Sequence, residues 1–461
     1  MSSGLRIGLF GTFDVENYGS LLFPRLFERE IRQRLPDAQV RAFSPFGPAH
    51  PVAMNRGWSP EALGLWTRER LRELASELDL VAVGGGGIIH TRDELLATAY
   101  GVDPLELRLR RPSDFFLEYP AVWHAVGIPF DLDPHEARVV RATRRPYIAV
   151  RDERSQARLA AVGVEDEVEM VPDPAFLLDR LFPPRVLDSA RDSLRARGDY
   201  PAEGRPLILQ GSAALLDHVD ALAAAIRNRP EDVVLIETGR CHGDDRFAEA
   251  MLSRLERRVF RVDGGSSLED MGAAIAGAAG YAGSSMHGAI TALVYGVPTL
   301  ILDLGGCNCS KLAGLAEVVG RDDIRVTEVP HVLDPPPPPD VGHLGARVDE
   351  HHDRIAALAI ERRTVPEAVT LSGATFELTR RRLLEERRRY ADLVDDVGAE
   401  RDQARAELAE AKRYIASLEA ALGEKESELR KAQRQLSEHQ VPGEPPAGLR
   451  AVLEAFTRRP R

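Results

Sequence analysis

The sequence predicts an α/β fold of two Rossmann-like lobes facing a cleft, followed by a C-terminal α-helical coiled coil. Three observations predict it. Short apolar runs that end in glycine alternate with amphipathic helical runs up to residue 182. The same rhythm starts again after residue 204. A seven-residue apolar repeat then takes over beyond residue 375. Strand and helix in alternation imply parallel sheets covered by helices on both faces, and two such blocks in tandem imply two lobes with ligand between them. The expected organisation is a first lobe over 1–182, a second over 204–330, a proline-rich linker over 331–345, a coiled coil over 376–440 and a tail over 441–461.

Taken in order, 5–10 is an apolar strand closed by Gly11, and 18–35 has helical spacing. Residues 78–83 form a strand that runs into four glycines, 84–87. Strands are expected at 121–127, 147–150 and 168–171, with a helix over 154–162. Phe182-Pro183-Pro184 marks a weaker boundary, followed by a polar helical stretch to Gly204. In the second block, strands fall at 207–210, 233–237, 259–262, 281–282 and 298–302. Helices fall at 217–227, 244–257, 267–278 and 286–295. Five successive prolines, 335–339, suit neither a helix nor a central strand and read as an extended spacer. Leu408, Ile415, Leu422, Leu429 and Leu436 then recur every seven residues, with Ala404, Ala411, Leu418, Lys425 and Ala432 at the second heptad position. Charged flanks leave a narrow apolar seam, which suits a coiled coil and a homodimer. Val441-Pro442-Gly443 ends it.

Composition narrows the function. A chain of 461 residues suggests about three units. With 44% hydrophobic and 29% charged residues it can bury a core. Lys+Arg 60 against Asp+Glu 72 leaves a net charge of −12, which argues against a nucleic-acid coat. Three cysteines make no disulfide framework and fit a reducing compartment. No run of about 20 apolar residues is present, and residues 1–10 do not read as a signal peptide. The expectation is a cytoplasmic protein, peripheral at most at the inner membrane face.

Five segments carry chemistry. Residues 11–20 (GTFDVENYGS) follow the first strand and open a helix, where amide groups suit an anion or a sugar hydroxyl. Asp14 and Glu16 are candidates to take a proton from an attacking hydroxyl, and Asn17 or Asp14 to cap the helix. Gly84–Gly87 lets a ligand approach the backbone closely, but it is not the GxGxxG of a dinucleotide site. Arg151, where a strand gives way to a helix, can fork two oxygens of a carboxylate or phosphate. His287 stands in the first helical turn after Gly283-Ser284-Ser285, where a neutral imidazole serves as acid or base. Lys311 follows Gly305-Gly306-Cys307-Asn308-Cys309-Ser310 and suits a phosphate. Cys241, His242, Cys307 and Cys309 do not have usual zinc spacings, so no metal and no cofactor are expected.

Together these segments resemble the polysaccharide pyruvyl transferase family. The resemblance rests on Gly11…Asn17-Tyr18-Gly19, on Val83 followed by Gly84–Gly87, on Ala149-Val150-Arg151-Asp152-Glu153-Arg154-Ser155, on Val171-Pro172-Asp173-Pro174-Ala175, and on Gly283-Ser284-Ser285-Met286-His287-Gly288-Ala289 with Gly296-Val297-Pro298. It implies a fold like the two-lobed glycosyltransferases of the B type. It also implies transfer of a pyruvyl group from phosphoenolpyruvate to a sugar of a cell-surface polysaccharide, forming a ketal. The family's donor-binding Arg falls on Arg151, its His on His287 and its Lys on Lys311. Ser284, Ser285, Gly85 and Gly86 are further donor-side candidates, Asn17 and Tyr18 acceptor-side ones, and the acceptor is a saccharide, free or lipid-linked. Two positions depart from the pattern: Ser285 stands where the family often has Arg, and Ser20 where it often has Asp. The alternatives are a nucleotide-sugar-dependent glycosyltransferase and a catalytically degenerate scaffold that uses its coiled coil.

Overall fold

The computed structural model describes residues 4–364, except 51, 55–56, 65–67, 90–92, 103–106, 108–109, 111–120, 133, 143–145, 165–167 and 306–310, and beyond them 412–413, 415–417, 423, 426–427 and 430–431. The chain forms two compact units, Met1–Thr375 and Phe376–Arg461. His90, Cys307, Cys309, most of the heptad positions and the 441–461 tail lie outside the described residues. Those described in the second unit are helical, with Arg430 reaching Glu426 one turn earlier at 3.5 Å.

The first unit holds two parallel sheets. The first sheet has the order β3-β2-β1-β4-β5-β6-β7. Its strands are β1 Arg6–Phe10, β2 Gln39–Ser44, β3 Glu61–Ala62, β4 Leu80–Gly84, β5 Val122–Val126, β6 Ile148–Val150 and β7 Val168–Met170. The second has the order β10-β9-β8-β11-β12-β13. It is built from β8 Leu207–Gln210, β9 Val233–Ile236, β10 Val259–Val262, β11 Gly280–Gly283, β12 Thr299–Leu302 and β13 Arg325–Val326. Strands β4, β5, β8, β9, β11 and β12 are buried along their whole length. That is why they read as continuous apolar runs: a parallel sheet with helices on both faces has no wet side. Strand β2, next to the edge, is half-buried, and the edge strands β3 and β13 have two residues each, so none of the three shows as an apolar run.

Both strand orders reverse direction once, between β1 and β4 and between β8 and β11. Loops that leave the carboxyl ends of the strands part at such a point and open a crevice. In the first lobe the crevice is walled by Gly11–Thr12 and by Gly85–Gly86. In the second it is walled by Gln210 and by Ser284–Ser285.

The lobes share one apolar core. Helix α1, Tyr18–Arg34, buries Leu21, Leu22, Leu26, Phe27 and Ile31 at helical spacing. They join a cluster with Phe176, Leu177 and Leu178 of the first lobe and with Ile290 and Leu293 of the second. Asn17 caps α1 by accepting from the Ser20 amide, an arrangement worth about 1 kcal/mol.

Two segments between and after the lobes differ from the expectation. The proline run is packed against the second lobe, since the Thr299 amide donates to the Pro336 carbonyl at 3.2 Å and Pro335 covers Gly280. The chain then returns to the first lobe as the helix Gly342–Thr364, whose Leu344, Val348, His351, Ile355 and Ala359 are buried. A polar sequence with an apolar residue every three to four positions hides this return from a reading based on apolar runs.

Candidate functional site

The two crevices meet in a cavity of about 410 Å³ lined by residues of both lobes. Asn17, Gly85 and Gly86 come from loops after β1 and β4, Arg151 from the end of β6, and His242, His287 and Lys311 from the second lobe. A second cavity of about 360 Å³ lies on the second-lobe side. Both are lined by Asn17, His242, Met286, His287 and Lys311, and the second also by Gln210, Asp244, Ser284 and Ser285. Arg151, His287 and Lys311, expected from their places at strand ends, are therefore brought to one cavity.

Arg151 is 8% exposed. Its guanidinium lies over Gly127, where a Cβ would fall 2.8 Å from it. The backbone makes this seat. The β5–β6 register shifts between Trp123 and Val126, and Ala125 takes a positive φ of 47° at the irregularity. Such a bulge bends the strand end and is costly for a residue with a Cβ. Helix α2, Glu153–Ala161, begins beside it, with Asp152 accepting from the Ser155 amide.

Helix α3 is Asp244–Leu252, and His287 lies in α4, Met286–Val294. Its Nε2 is 3.5 Å from Asp173 Oδ2, an oxygen that is also 3.7 Å from Arg151 Nη1. Asp173 Oδ1 accepts from the Ala175 amide, whereas Oδ2 is buried without a hydrogen bond. Burial alone would raise the Asp173 pKa; His287 and Arg151 outweigh it, and the carboxyl is held below its ordinary value. The other side of the imidazole faces α1. A Cβ on Gly19 would sit on His287 Nδ1, so only glycine lets the helix approach the ring.

Lys311 opens α5, Lys311–Val319. The residue is exposed because the cavity it lines is open, yet the enclosure of its ammonium within the cleft lowers its pKa, and Arg151 lowers it further. Burial, followed by the charge of Lys311, lowers His242 to about 4. Cys241 is pushed up to about 11 by burial, so its thiol stays protonated at neutral pH. Among the described residues no group of three His, Cys, Asp or Glu side chains has the geometry to hold a metal.

Several expected site residues serve the scaffold instead. Asp14 is 1% exposed and lines neither cavity. Its Oδ2 accepts from the Phe46 and Gly47 amides at 2.8 and 2.7 Å, and its Oδ1 from the Tyr100 hydroxyl at 2.5 Å. A carboxylate so engaged ties loops together and is not free to take a proton from a hydroxyl in the cleft. Tyr18 is fully buried, which removes it from acceptor binding. The Thr291 hydroxyl donates to the His287 carbonyl at 2.7 Å, so the Tyr18 hydroxyl, 3.3 Å from Thr291 Oγ1, donates to Thr291. Tyr18 thereby braces the first turn of α4. Glu16 is half-buried and lines neither cavity. Gly85 has φ of 96°, with Phe13 where its Cβ would be, and Gly86 has φ of 102°. Ser285 caps α4 by accepting from the Gly288 amide.

Three contributors escape a reading by motif. Asp173 stands in the Val-Pro-Asp-Pro segment but gains its meaning only when the lobes meet. Gln210 is the one polar residue at the end of the apolar strand β8, a place that could have singled it out, whereas Asp244 opens α3 behind a glycine turn and carries no such signal.

Similar solved structures include UDP-GlcNAc 2-epimerase from Neisseria meningitidis bound to UDP-GlcNAc, at 10% identity and a TM-score of 0.44, covering 80% of this chain and 95% of that one. Another is the ADP-heptose lipopolysaccharide heptosyltransferase II of E. coli, at 12% identity and 0.35, covering 77% and 99%. A third is the glycosyltransferase SnogD of Streptomyces nogalater, at 17% and 0.37, covering 77% and 99%. No curated protein matches the chain. Among the described residues no helix is long and apolar enough to cross a membrane. The family model for polysaccharide pyruvyl transferase matches residues 17–305, which include Asn17, Arg151, Asp173 and His287, and the chain belongs to that transferase family.

Proposed function

We propose that this protein moves the pyruvyl unit of phosphoenolpyruvate onto two hydroxyls of a saccharide in a cell-surface polymer, forming a cyclic ketal and releasing phosphate. The observation that carries the reading is the convergence of Arg151, His287 and Lys311 on one cavity, with the buried Asp173 carboxylate facing Arg151 and His287. The donor carries a carboxylate and a phosphate. Arg151 presents a planar fork suited to the carboxylate. Lys311 presents a point charge suited to the phosphate, and an anion bound there favours its charged form against the burial that opposes it.

The reaction balances without an outside reagent. His287 delivers a proton to the donor's methylene carbon, which becomes a methyl group. The central carbon turns electrophilic, and a saccharide hydroxyl adds to it. The phosphate leaves with its bridging oxygen, and the second hydroxyl closes the ring. Of the two protons lost by the diol, one resides in the methyl group and one leaves with phosphate or solvent. With Asp14 engaged elsewhere and Glu16 outside both cavities, the first hydroxyl proton passes to the departing phosphate or to solvent. Asn17, which lines both cavities, is the acceptor-side contact.

The test is phosphate release from labelled phosphoenolpyruvate in the presence of a panel of saccharides, free and lipid-linked. Arg151→Ala and His287→Ala abolish release if the reading holds. As part of the same proposal, the heptads of 376–440 serve self-association of a cytoplasmic homodimer. Light scattering then gives a dimer for the whole chain and a monomer for 1–375.

A further inference from the structure

The second lobe carries a hydrogen-bond relay that the chemistry above does not use. It spans the crevice between β8 and β11, where the strand order reverses. Gln210, the last residue of β8, is 2% exposed. Its Oε1 accepts from the Ser284 and Ser285 amides at 2.9 and 2.7 Å and from the Ser284 hydroxyl at 3.3 Å. Its Nε2 donates to Asp244 Oδ2 at 2.8 Å. The amide fits one way only. Flipped, it would turn an NH₂ toward two backbone N–H groups and an oxygen toward a carboxylate.

Asp244, likewise 2% exposed, holds a second branch. The same Oδ2 accepts from the Thr238 amide at 2.9 Å, the Thr238 hydroxyl at 3.1 Å and the Gly239 amide at 3.0 Å. The Thr238 carbonyl in turn accepts from the Tyr18 amide at 2.7 Å, fixing the start of α1. One branch thus ends on the turn that starts the His287 helix. The other ends one residue before Gly19, which packs on the opposite side of the His287 ring. Four donors on one buried oxygen exceed what a loop cap requires.

We propose that Gln210 and Asp244 are positioning residues for His287, fixing through two branches the helix that carries the imidazole and the helix that walls it. This rests on the role given to His287 above. Burial raises the Asp244 pKa to about 7, against the hydrogen bonds from Gln210, Thr238 and Gly239 that lower it. The charged and titratable groups that sense Asp244 are Lys311, Cys241 and Tyr281. A protonated Oδ2 serves four donors less well, so the relay loosens as pH falls through 7.

The experiment combines three readouts on the full chain. In Gln210→Ala, kcat for phosphate release falls about 10- to 100-fold with little change in KM for phosphoenolpyruvate, as expected for a misplaced group. Adding His287→Ala to it lowers kcat no further than His287→Ala alone; additive losses overturn the proposal. Asp244→Asn is neutral at every pH, so at pH 8 it shows the lowered kcat that the wild type reaches below 7, and it loses the acid limb near 7; an unchanged limb overturns the proposal. Amide exchange needs no turnover. Ser284 and Ser285 exchange at least about tenfold faster in Gln210→Ala and at the wild-type rate in Asp244→Asn, as loss of one acceptor predicts. Unchanged exchange in Gln210→Ala overturns the relay even in a protein with no activity toward phosphoenolpyruvate, and so separates this failure from that of the proposed reaction.

Discussion

Asp173 Oδ2 lies 3.5 Å from His287 Nε2 across the boundary between the lobes. The carboxylate comes from the end of the first sheet and the imidazole from the second. The contact exists only because both lobes bury the same apolar surface. Arg151 Nη1, at 3.7 Å, completes a triangle around that oxygen. A buried oxygen with no hydrogen bond is normally costly. Here its charge faces the Arg151 guanidinium and the His287 ring, and a donor anion entering the cavity competes with it for both.

Replacement of Asp173 by Asn tests that triangle. The amide still caps the Ala175 turn, but the charge facing His287 and Arg151 is gone. The imidazole loses the carboxylate that faces its Nε2. We expect kcat to fall about 100-fold or more while the fold persists, measured by phosphate release and by circular dichroism.

Gly19→Ala separates activity from helix stability. Alanine in a helix interior is ordinarily favoured over glycine by about 1 kcal/mol. Here the new Cβ meets His287 Nδ1, so α1 and the imidazole must part. The expected outcome is a loss of kcat of about 100-fold, as for a group displaced by about 1 Å. Thermal unfolding should show no gain in stability from the better helix former.

How much of this was legible beforehand depends on the residue. Arg151, His287 and Lys311 each follow a buried strand, and a parallel sheet places such positions at the ligand side, so sequence order was enough. Asp14 looked like a base because it sits in a glycine-containing loop; its donors come from residues 46, 47 and 100, which sequence does not bring near. Tyr18 looked like a sugar contact until burial against Thr291 appeared. The edge strands β3 and β13, and β2 beside β3, lacked the apolar runs that marked the buried ones. The return of Gly342–Thr364 was hidden by its polar face and by the prolines before it.

That returning helix also predicts an acid-labile fold. His351 Nε2 lies 2.7 Å from His124 Nδ1, and His351 Nδ1 lies 2.7 Å from the Tyr147 hydroxyl, which donates to Glu169. His352 packs edge-on against His124. Burial pushes His124 and His351 well below the ordinary 6.5 and His352 to about 4. The unfolded chain therefore takes up these protons first. Their contribution is whole above pH 6.5 and is lost as pH falls, by up to about 1.4 kcal/mol per pH unit for each histidine. Urea unfolding at pH 7.5, 6 and 5 checks this: the midpoint falls in the wild type and less steeply in His352→Leu. A midpoint that does not move contradicts it.

Asp14→Asn and Tyr18→Phe check the two reassignments. Asparagine weakens the ties to Phe46, Gly47 and Tyr100, so stability falls by about 1–3 kcal/mol. Phenylalanine removes one donor to Thr291 and costs about 1 kcal/mol. In both, KM for the saccharide stays within a small factor of the wild type, because neither side chain reaches the cavity.

The most direct measurement follows carbon-labelled phosphoenolpyruvate with a saccharide acceptor and reads phosphate and product together. The account predicts one phosphate released for each labelled three-carbon unit that appears on the saccharide as a ketal, with both lost in Arg151→Ala and His287→Ala. Release that persists undiminished in those two variants, or label that never reaches any saccharide of the panel, contradicts it.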